Sequence, residues 1–434
     1  MSDQNPSIDD ENLTSPADRS DITPAVDAID GSNVIVEQTF AEAVAGSHGI
    51  SEAPATDDAV LRVENLKMYF PIKSGILRRT IGQVQAVDGV SFAVQRGSSL
   101  GLVGESGCGK STTGRLITRL YKPTGGEMQF EGQDLAKMSN RALKPLRRDV
   151  QMIFQDPYTS LNPRHTVGSI IGTPLQVHNV VPRKQVLKRV QELLEVVGLN
   201  PEHFNRYPNE FSGGQRQRIG IARALALQPK LMVADEPVSA LDVSIQAQVV
   251  NLLQDIQKEF DVAFLFIAHD LAVVHHFCPE VAVMYLGKIV EIGDRESIYR
   301  APQHPYTQAL LSAVPDVRQA AVGGRRERIQ LEGDVPSPIN PPSGCRFRTR
   351  CPIAKEICAR VEPPLLQTGA KHKVACHFPG ELGKHPEQPL TARLLGVDDQ
   401  GHPDPGAGPA QHIDTGSGYA DTWFDLDTRS FGRA

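Results

Sequence analysis

The sequence predicts an α/β fold built on a mostly parallel sheet, and three observations predict it. From Ser98 to Ile117 an apolar strand, a glycine-rich turn and a helix start follow one another without a gap. Two later apolar runs, Lys230–Ala234 and Phe264–Ala268, each stop at polar side chains: Asp235 and Glu236 in one case, His269 and Asp270 in the other. Between them lie segments with apolar residues at helical spacing, the alternation that a parallel sheet requires because its crossovers are helices. In such a sheet the carboxyl ends of the strands face a ligand crevice, so those polar residues gather along one edge.

The turn itself reads Gly104-Glu105-Ser106-Gly107-Cys108-Gly109-Lys110-Ser111-Thr112. Its glycines let successive amide hydrogens converge on one anion, and the helix start adds the positive end of its dipole. Lys110 then reaches the β- and γ-phosphates of a nucleotide, and the Ser111 hydroxyl is a ligand for Mg²⁺.

The chain has 434 residues, of which 40% are apolar, enough for two or more domains. No run approaches eighteen consecutive apolar residues, and the N-terminus has no basic stretch followed by an apolar one, so neither a membrane span nor a secretion signal is expected and the predicted location is cytoplasmic. The net charge of −6 hides an asymmetry: residues 1–58 carry thirteen acids against the single base Arg19, a balance of −12, which leaves +6 for the other 376 residues. That acidic segment lacks sustained periodicity and is expected to be a disordered tail, with room for a short helix around Val34 to Val44. Residues 382–434, rich in Gly, Pro, Asp and His, read as a second loose tail.

The elements between the tails follow in order. Val60–Val63 and Val84–Val94 have strand patterns, the second ending at the turn Arg96-Gly97. Tyr69 and Phe70 stand just before a loop, where an aromatic ring can stack on a base or simply pack. A short strand at Glu127–Phe130 and a helix near Arg141–Arg148 come next. Val150–Phe154 is a buried strand broken by Asp156-Pro157, which leaves Gln155 at its carboxyl end, in reach of Mg²⁺ or a water. Val186, Val190, Leu193, Leu194 and Val197 mark a helix from Pro182 that ends at Gly198.

Phe211-Ser212-Gly213-Gly214-Gln215 then opens a helix predicted over Ile219–Leu227. Its serine and two glycines make a second anion cradle. A single P-loop has no need of two cradles, which suggests that the second serves a nucleotide held by another subunit. In the Lys230–Pro237 run, Asp235 is placed to hold Mg²⁺ and Glu236 to polarise an attacking water. Ser239-Ala240-Leu241-Asp242 follows directly, and His269 ends the next strand.

With these motifs in this order, residues of about 60–380 resemble the ATP-binding subunits of ABC transporters, and most of all those of dipeptide and oligopeptide importers. The resemblance implies a P-loop ABC-ATPase core over residues 59–300 with an antiparallel β subdomain and a helical subdomain at about 155–228, and a small cysteine-bearing extension over 301–381. It implies that Phe70 or Tyr69 stacks on adenine and that Gly104 to Thr112 hold the phosphates. Gln155 becomes the residue linking Mg²⁺ and attacking water to the membrane subunits. Ser212, Gly213, Gly214 and Gln215 become the signature that closes on a partner's γ-phosphate, with Phe211 where many members have leucine. Asp235 assists Mg²⁺, Glu236 is the general base, Asp242 sits at the dimer seam and His269 contacts the γ-phosphate. Two such chains, a paralogue pair or a homodimer, are implied to close on ATP and drive two membrane permease subunits fed by an extracytoplasmic solute-binding protein, at the cytoplasmic face of the membrane and without nucleic acid.

Tyr299–Ala313 and Asp334–Gly344 resemble the C-terminal extension of peptide-importer ATPases, a family that also serves nickel, glutathione and other small solutes. Four of the six cysteines fall there: Cys345, Cys351, Cys358 and Cys376. In a reducing compartment such a cluster points to metal or redox chemistry. Their loose spacing resembles that of importer subunits with a [4Fe-4S] cluster, with zinc or unligated thiols as alternatives. Of the two remaining cysteines, Cys108 lies in the phosphate loop and is a candidate for oxidation. Soluble ABC ATPases of DNA repair or translation carry paired ATPase halves or a long coiled-coil insertion, and neither is present. A non-catalytic nucleotide-binding subunit is argued against by intact Lys110, Glu236 and His269.

Overall fold

Runs of residues buried on both faces form the centre of the molecule. The computed structural model describes residues 58–74, 79–314, 328–380 and 382; the remainder of both predicted tails lies outside the described residues. Strands β1 (Ala59–Ser74), β2 (Arg79–Gln95), β4 (Gly125–Phe130) and β5 (Gln133–Asp134) form an antiparallel sheet in the order β2-β1-β4-β5. Strands β3 (Ser99–Val103), β6 (Val150–Ile153), β7 (Leu231–Asp235), β8 (Ala263–Ala268), β9 (Glu280–Tyr285), β10 (Lys288–Asp294), β11 (Leu366–Gly369) and β12 (His372–Val374) form a second, in the order β11-β12-β10-β9-β3-β8-β7-β6.

Every residue of β3, β7 and β8 is buried. Unbroken apolar runs of this kind belong to parallel strands covered on both faces, and β9, β3, β8, β7 and β6 are indeed parallel neighbours. Side chains alternate between the two covers. Met232 and Ala234 pack with the helices, whereas Leu231 and Val233 pack with residues of the antiparallel sheet such as Val63 and Leu66.

Helix Lys110–Ile117 follows β3, and the stretch between β6 and β7 is helical, with Val167–Val177, Val186–Val196 and Gly213–Leu225 as its longer members. The helix read from Pro182 begins as a 3-10 turn over Arg183–Gln185, and Gly198, at φ +70°, takes the left-handed turn expected beyond its end. β1 and β2 are much longer than their apolar patterns, pairing from Ala59↔Gln95 to Ser74↔Arg79. A main-chain ladder can run past the buried part of a strand, and there its side chains carry no alternation.

The C-terminal segment joins the main sheet. β12 pairs antiparallel with β10, and β11 with β12. Fully buried Glu291 on β10 fastens this edge, accepting bonds from His372 Nε2 at 2.7 Å, the Gln303 amide at 2.7 Å and the His304 amide at 3.0 Å. Among the described residues no helix is long and apolar enough to cross a membrane.

Candidate functional site: a cavity at the strand ends

The carboxyl ends of β3, β6, β7 and β8 meet at a cavity of about 470 Å³, whose wall includes Ser106, Gly107, Lys110, Gln155, Glu236 and His269. Ser111 and Thr112 also line it.

The loop after β3 has the shape its glycines require. Gly104, Gly107 and Gly109 have φ of +149°, +81° and +107°. A Cβ on Gly104 would lie 2.1 Å from the Met284 carbonyl oxygen, and one on Gly109 would lie 2.1 Å from that of Ala86. On Gly107 it would meet nothing within 4 Å, so that glycine supplies only the backbone turn. Lys110 is 4% exposed and its Nζ donates to the Gly104 and Glu105 carbonyls at 2.7 and 2.9 Å. The ammonium is therefore held across the loop mouth, where an anion would meet it.

Ser111 Oγ donates to Asp235 Oδ1 at 2.8 Å. Burial raises the Asp235 carboxyl, an effect opposed by that hydrogen bond. A hydroxyl and a carboxylate facing each other beside a phosphate loop form an oxygen donor pair suited to Mg²⁺. One residue on, Glu236 takes φ +46°, a left-handed conformation unusual for a side-chain-bearing residue. Its backbone is pinned there: its amide donates to the Ile267 carbonyl at 2.9 Å, and its own carbonyl accepts from Ser239 Oγ at 3.1 Å. Gln155 Nε2 donates to Glu236 Oε2 at 2.9 Å, and His269 Nδ1 lies 3.3 Å from the same oxygen. Two predicted residues, at the ends of β6 and β8, thus share the carboxylate of a third at the end of β7.

The other predicted residues are placed differently. Ser212 accepts from the Gln215 amide at 3.3 Å and Gln215 Oε1 accepts from the Ser212 amide at 3.0 Å, a capping box. The helix consequently starts at Gly213, six residues before the predicted Ile219. Ser212, Gly213, Gly214 and Gln215 contribute nothing to the cavity wall. Asp242 is exposed just before helix Val243–Phe260. Tyr69 and Phe70 also stand outside the wall. Tyr69 donates its hydroxyl to Asp88, and burial together with that bond pushes its pKa up to about 12. Phe70 meets the Tyr121 ring edge-on at 5.6 Å and pairs across the ladder with Val84, which does line the cavity.

Cys108 is buried, and burial raises its thiol above the ordinary value. A protonated, inaccessible thiol is a poor target, which corrects the expectation of oxidation sensitivity. The four cysteines of the extension do come together: Cys345 interacts electrostatically with Cys358 and Cys351, and Cys376 with all three. Burial pushes Cys345 up to about 12 and Cys351 up to about 11, and raises Cys358 and Cys376 as well. Metal ligation needs thiolates. Among the described residues no group of three or more His, Cys, Asp or Glu side chains is arranged to hold a metal ion, so the predicted [4Fe-4S] cluster, like its zinc alternative, finds no support in this geometry.

Sequence reasoning missed the contribution of the extension to the cradle. Pro338 lines the cavity and its carbonyl accepts from the Gln85 amide at 2.9 Å. Arg346, buried, donates to the Leu286 carbonyl at 2.6 Å, to Gln85 Oε1 at 2.8 Å and to Asp88. Tyr306 accepts from the Glu105 amide at 2.8 Å. No local pattern announces such contacts, because each links residues far apart in the chain.

The family model described as ABC transporter matches residues 87–239, and that described as oligopeptide/dipeptide transporter, C-terminal region, matches residues 290–358. The oligopeptide transport ATP-binding protein AppF of Bacillus subtilis is 55% identical over 325 residues, 75% of this chain and 98% of that protein. The putative oligopeptide transport ATP-binding protein YkfD of the same organism is 54% identical over 320 residues, 74% of this chain and 95% of that one. The probable peptide ABC transporter ATP-binding protein y4tS of Sinorhizobium fredii is 52% identical over 322 residues, 74% of this chain and 90% of that one.

Proposed function

The chain belongs to the ATP-binding subunits of ABC-type peptide transporters, and from that premise we propose how its residues divide the work of ATP hydrolysis. The observation that carries the reading is a separation: Lys110, Ser111, Gln155, Glu236 and His269 line one cavity, and the Ser212–Gln215 helix start does not. One chain therefore holds half of a hydrolytic site, and a second chain supplies the signature. The partner is a paralogue or another copy.

Within the half-site, the loop amides and Lys110 hold the phosphates. Ser111, Asp235 and Gln155 would hold Mg²⁺, which when bound offsets the charge on the β- and γ-phosphates. Glu236 accepts the proton of the attacking water, oriented by Gln155 from one side and His269 from the other. Phe70 is the better candidate for adenine stacking, since Tyr69 is committed to Asp88. Closure and reopening of the pair drive two membrane permease subunits, served outside by a solute-binding protein, with this chain peripheral at the cytoplasmic face. The transported solute is a dipeptide or oligopeptide; nickel, glutathione or another small solute is the alternative.

Glu236→Gln should keep ATP binding, trap a closed dimer and lower turnover by about 100-fold or more. Normal turnover by that variant would remove Glu236 as the base. In cells lacking this chain, the wild type and not Glu236→Gln should restore uptake of labelled oligopeptide. Restored uptake of nickel alone would move the substrate to the alternative. For the cysteines, the support for an iron–sulfur cluster is their spacing in the sequence and soft donor chemistry alone. Iron and acid-labile sulfide in the anaerobically purified chain would revive that reading, and their absence would leave four thiols.

A further inference from the structure

Glu105 puts a carboxylate on the loop that receives phosphate. An uncompensated negative charge there would oppose a nucleotide that carries several of its own. The carboxylate is met from the C-terminal extension: Arg350 Nη1 donates to Glu105 Oε2 at 2.7 Å and Nη2 to Oε1 at 3.2 Å. This is the two-pronged geometry in which a guanidinium fixes direction as well as charge. Arg350 is 9% exposed and Glu105 27%, so water screens the pair only in part.

The backbone that carries the arginine is anchored in the extension. Its amide donates to the Phe347 carbonyl at 3.0 Å. Phe347 is buried between Tyr285 and Tyr306, with ring centroids 5.2 and 5.4 Å away. Tyr306 in turn accepts the Glu105 amide, so backbone and side chain of one loop residue are tied to one aromatic cluster. We infer that Arg350 is a positioning residue of the ATP site, neutralising Glu105 and drawing it away from the phosphates. The inference rests on the reading of the loop as the phosphate cradle.

Equilibrium titration of the full chain with a fluorescent ATP analogue tests it. Arg350→Gln should weaken binding about three- to tenfold at low salt, with the gap narrowing as ionic strength rises. Adding Glu105→Gln to Arg350→Gln should bring affinity back to within about twofold of the wild type, because the exposed charge is then gone. A role confined to holding the extension in place would not be relieved by Glu105→Gln. Should Arg350→Gln not fold, Arg350→Lys, which keeps the charge and loses the fork, carries the same comparison with a rise of about two- to threefold. Wild-type affinity in Arg350→Gln, or a double variant no better than Arg350→Gln alone, overturns the inference. Lys110→Ala separates the premise from the inference: if it binds ATP like the wild type, the loop is not the cradle and both fall. If Lys110→Ala loses ATP and Arg350→Gln does not, the inference alone falls.

Discussion

Two helix starts of this chain carry glycine, and their surroundings differ in kind. Helix Lys110–Ile117 has the left-handed Gly109 before it and no side-chain cap. Its amides open into a walled cavity, and two of the loop glycines are pressed against carbonyl oxygens. Helix Gly213–Leu225 is capped by its own Ser212 and Gln215 and begins at an exposed serine. Its close approach is to another helix: a Cβ on Gly214 would lie 2.5 Å from Ile245 Cγ2. The first helix start has no side-chain cap and opens on the cavity. The second satisfies itself locally through its capping box and lies outside the cavity wall.

Lys110→Ala should break the first side of this contrast most strongly, cutting ATP turnover by about 100-fold or more and ATP affinity with it. Removal of the buried ammonium also takes its donor from the Gly104 carbonyl, while the Glu105 carbonyl keeps the Cys108 amide at 3.3 Å. Steady-state ATPase assays with a nucleotide titration check both effects. Next in size is a difference between glycines. Gly109→Ala must push a methyl group into the Ala86 carbonyl and should cost roughly 3 kcal/mol or more, whereas Gly107→Ala should cost about 1 to 2 kcal/mol, for the backbone angle alone. Denaturant unfolding of the two variants measures the gap, and equal losses would show that crowding is not what Gly109 relieves.

How much of this was legible in the sequence depends on distance along the chain. Gly104 to Thr112, Asp235 with Glu236, and His269 are adjacent to the strands that carry them, so residue order alone put them at one crevice. The helix expected from Ile219 starts earlier, because Ser212 and Gln215 cap each other across the two glycines and extend it back to Gly213. Tyr69 and Phe70 were inseparable by sequence, since neighbours on a strand point to opposite faces and only the partner, Asp88 or Tyr121, tells which is which. Arg350 and Glu105 are 245 residues apart and share no periodic pattern, so nothing short of the fold joins them.

That long-range support also contains a group that responds to acid. Tyr306, which accepts the Glu105 amide, donates its own amide to His304 Nδ1 at 3.1 Å. His304 is fully buried, and burial pulls its pKa down to about 4 from 6.5. Below pH 6.5 the unfolded chain takes up a proton that the folded chain refuses until about pH 4. Stability is therefore whole above pH 6.5 and falls as the pH drops toward 4, by about 2 kcal/mol between pH 7 and pH 5 from this group. In His304→Asn, whose amide oxygen can still accept from Tyr306, urea midpoints at those two pH values should lie closer together than in the wild type. An unchanged separation would assign the acid sensitivity to other groups.

Ser212→Ala makes the smallest change and separates the two helix starts most cleanly. It deletes one hydroxyl that caps a helix end, a loss of about 1 kcal/mol at most sites of this kind. The capping box is local, no residue of it reaches the cavity, and the Lys110 contacts do not depend on it. The single chain should then bind ATP as before, while turnover by the paired chains falls, because in the proposed closed pair the serine faces the nucleotide of the other chain. Titration at protein concentrations low enough to keep the chains apart reads the first quantity, and ATPase rates at rising concentration read the second. If Ser212→Ala weakened ATP binding in the separated chain as Lys110→Ala does, the two cradles would belong to one site. The outward helix start would then need another explanation than a partner's nucleotide.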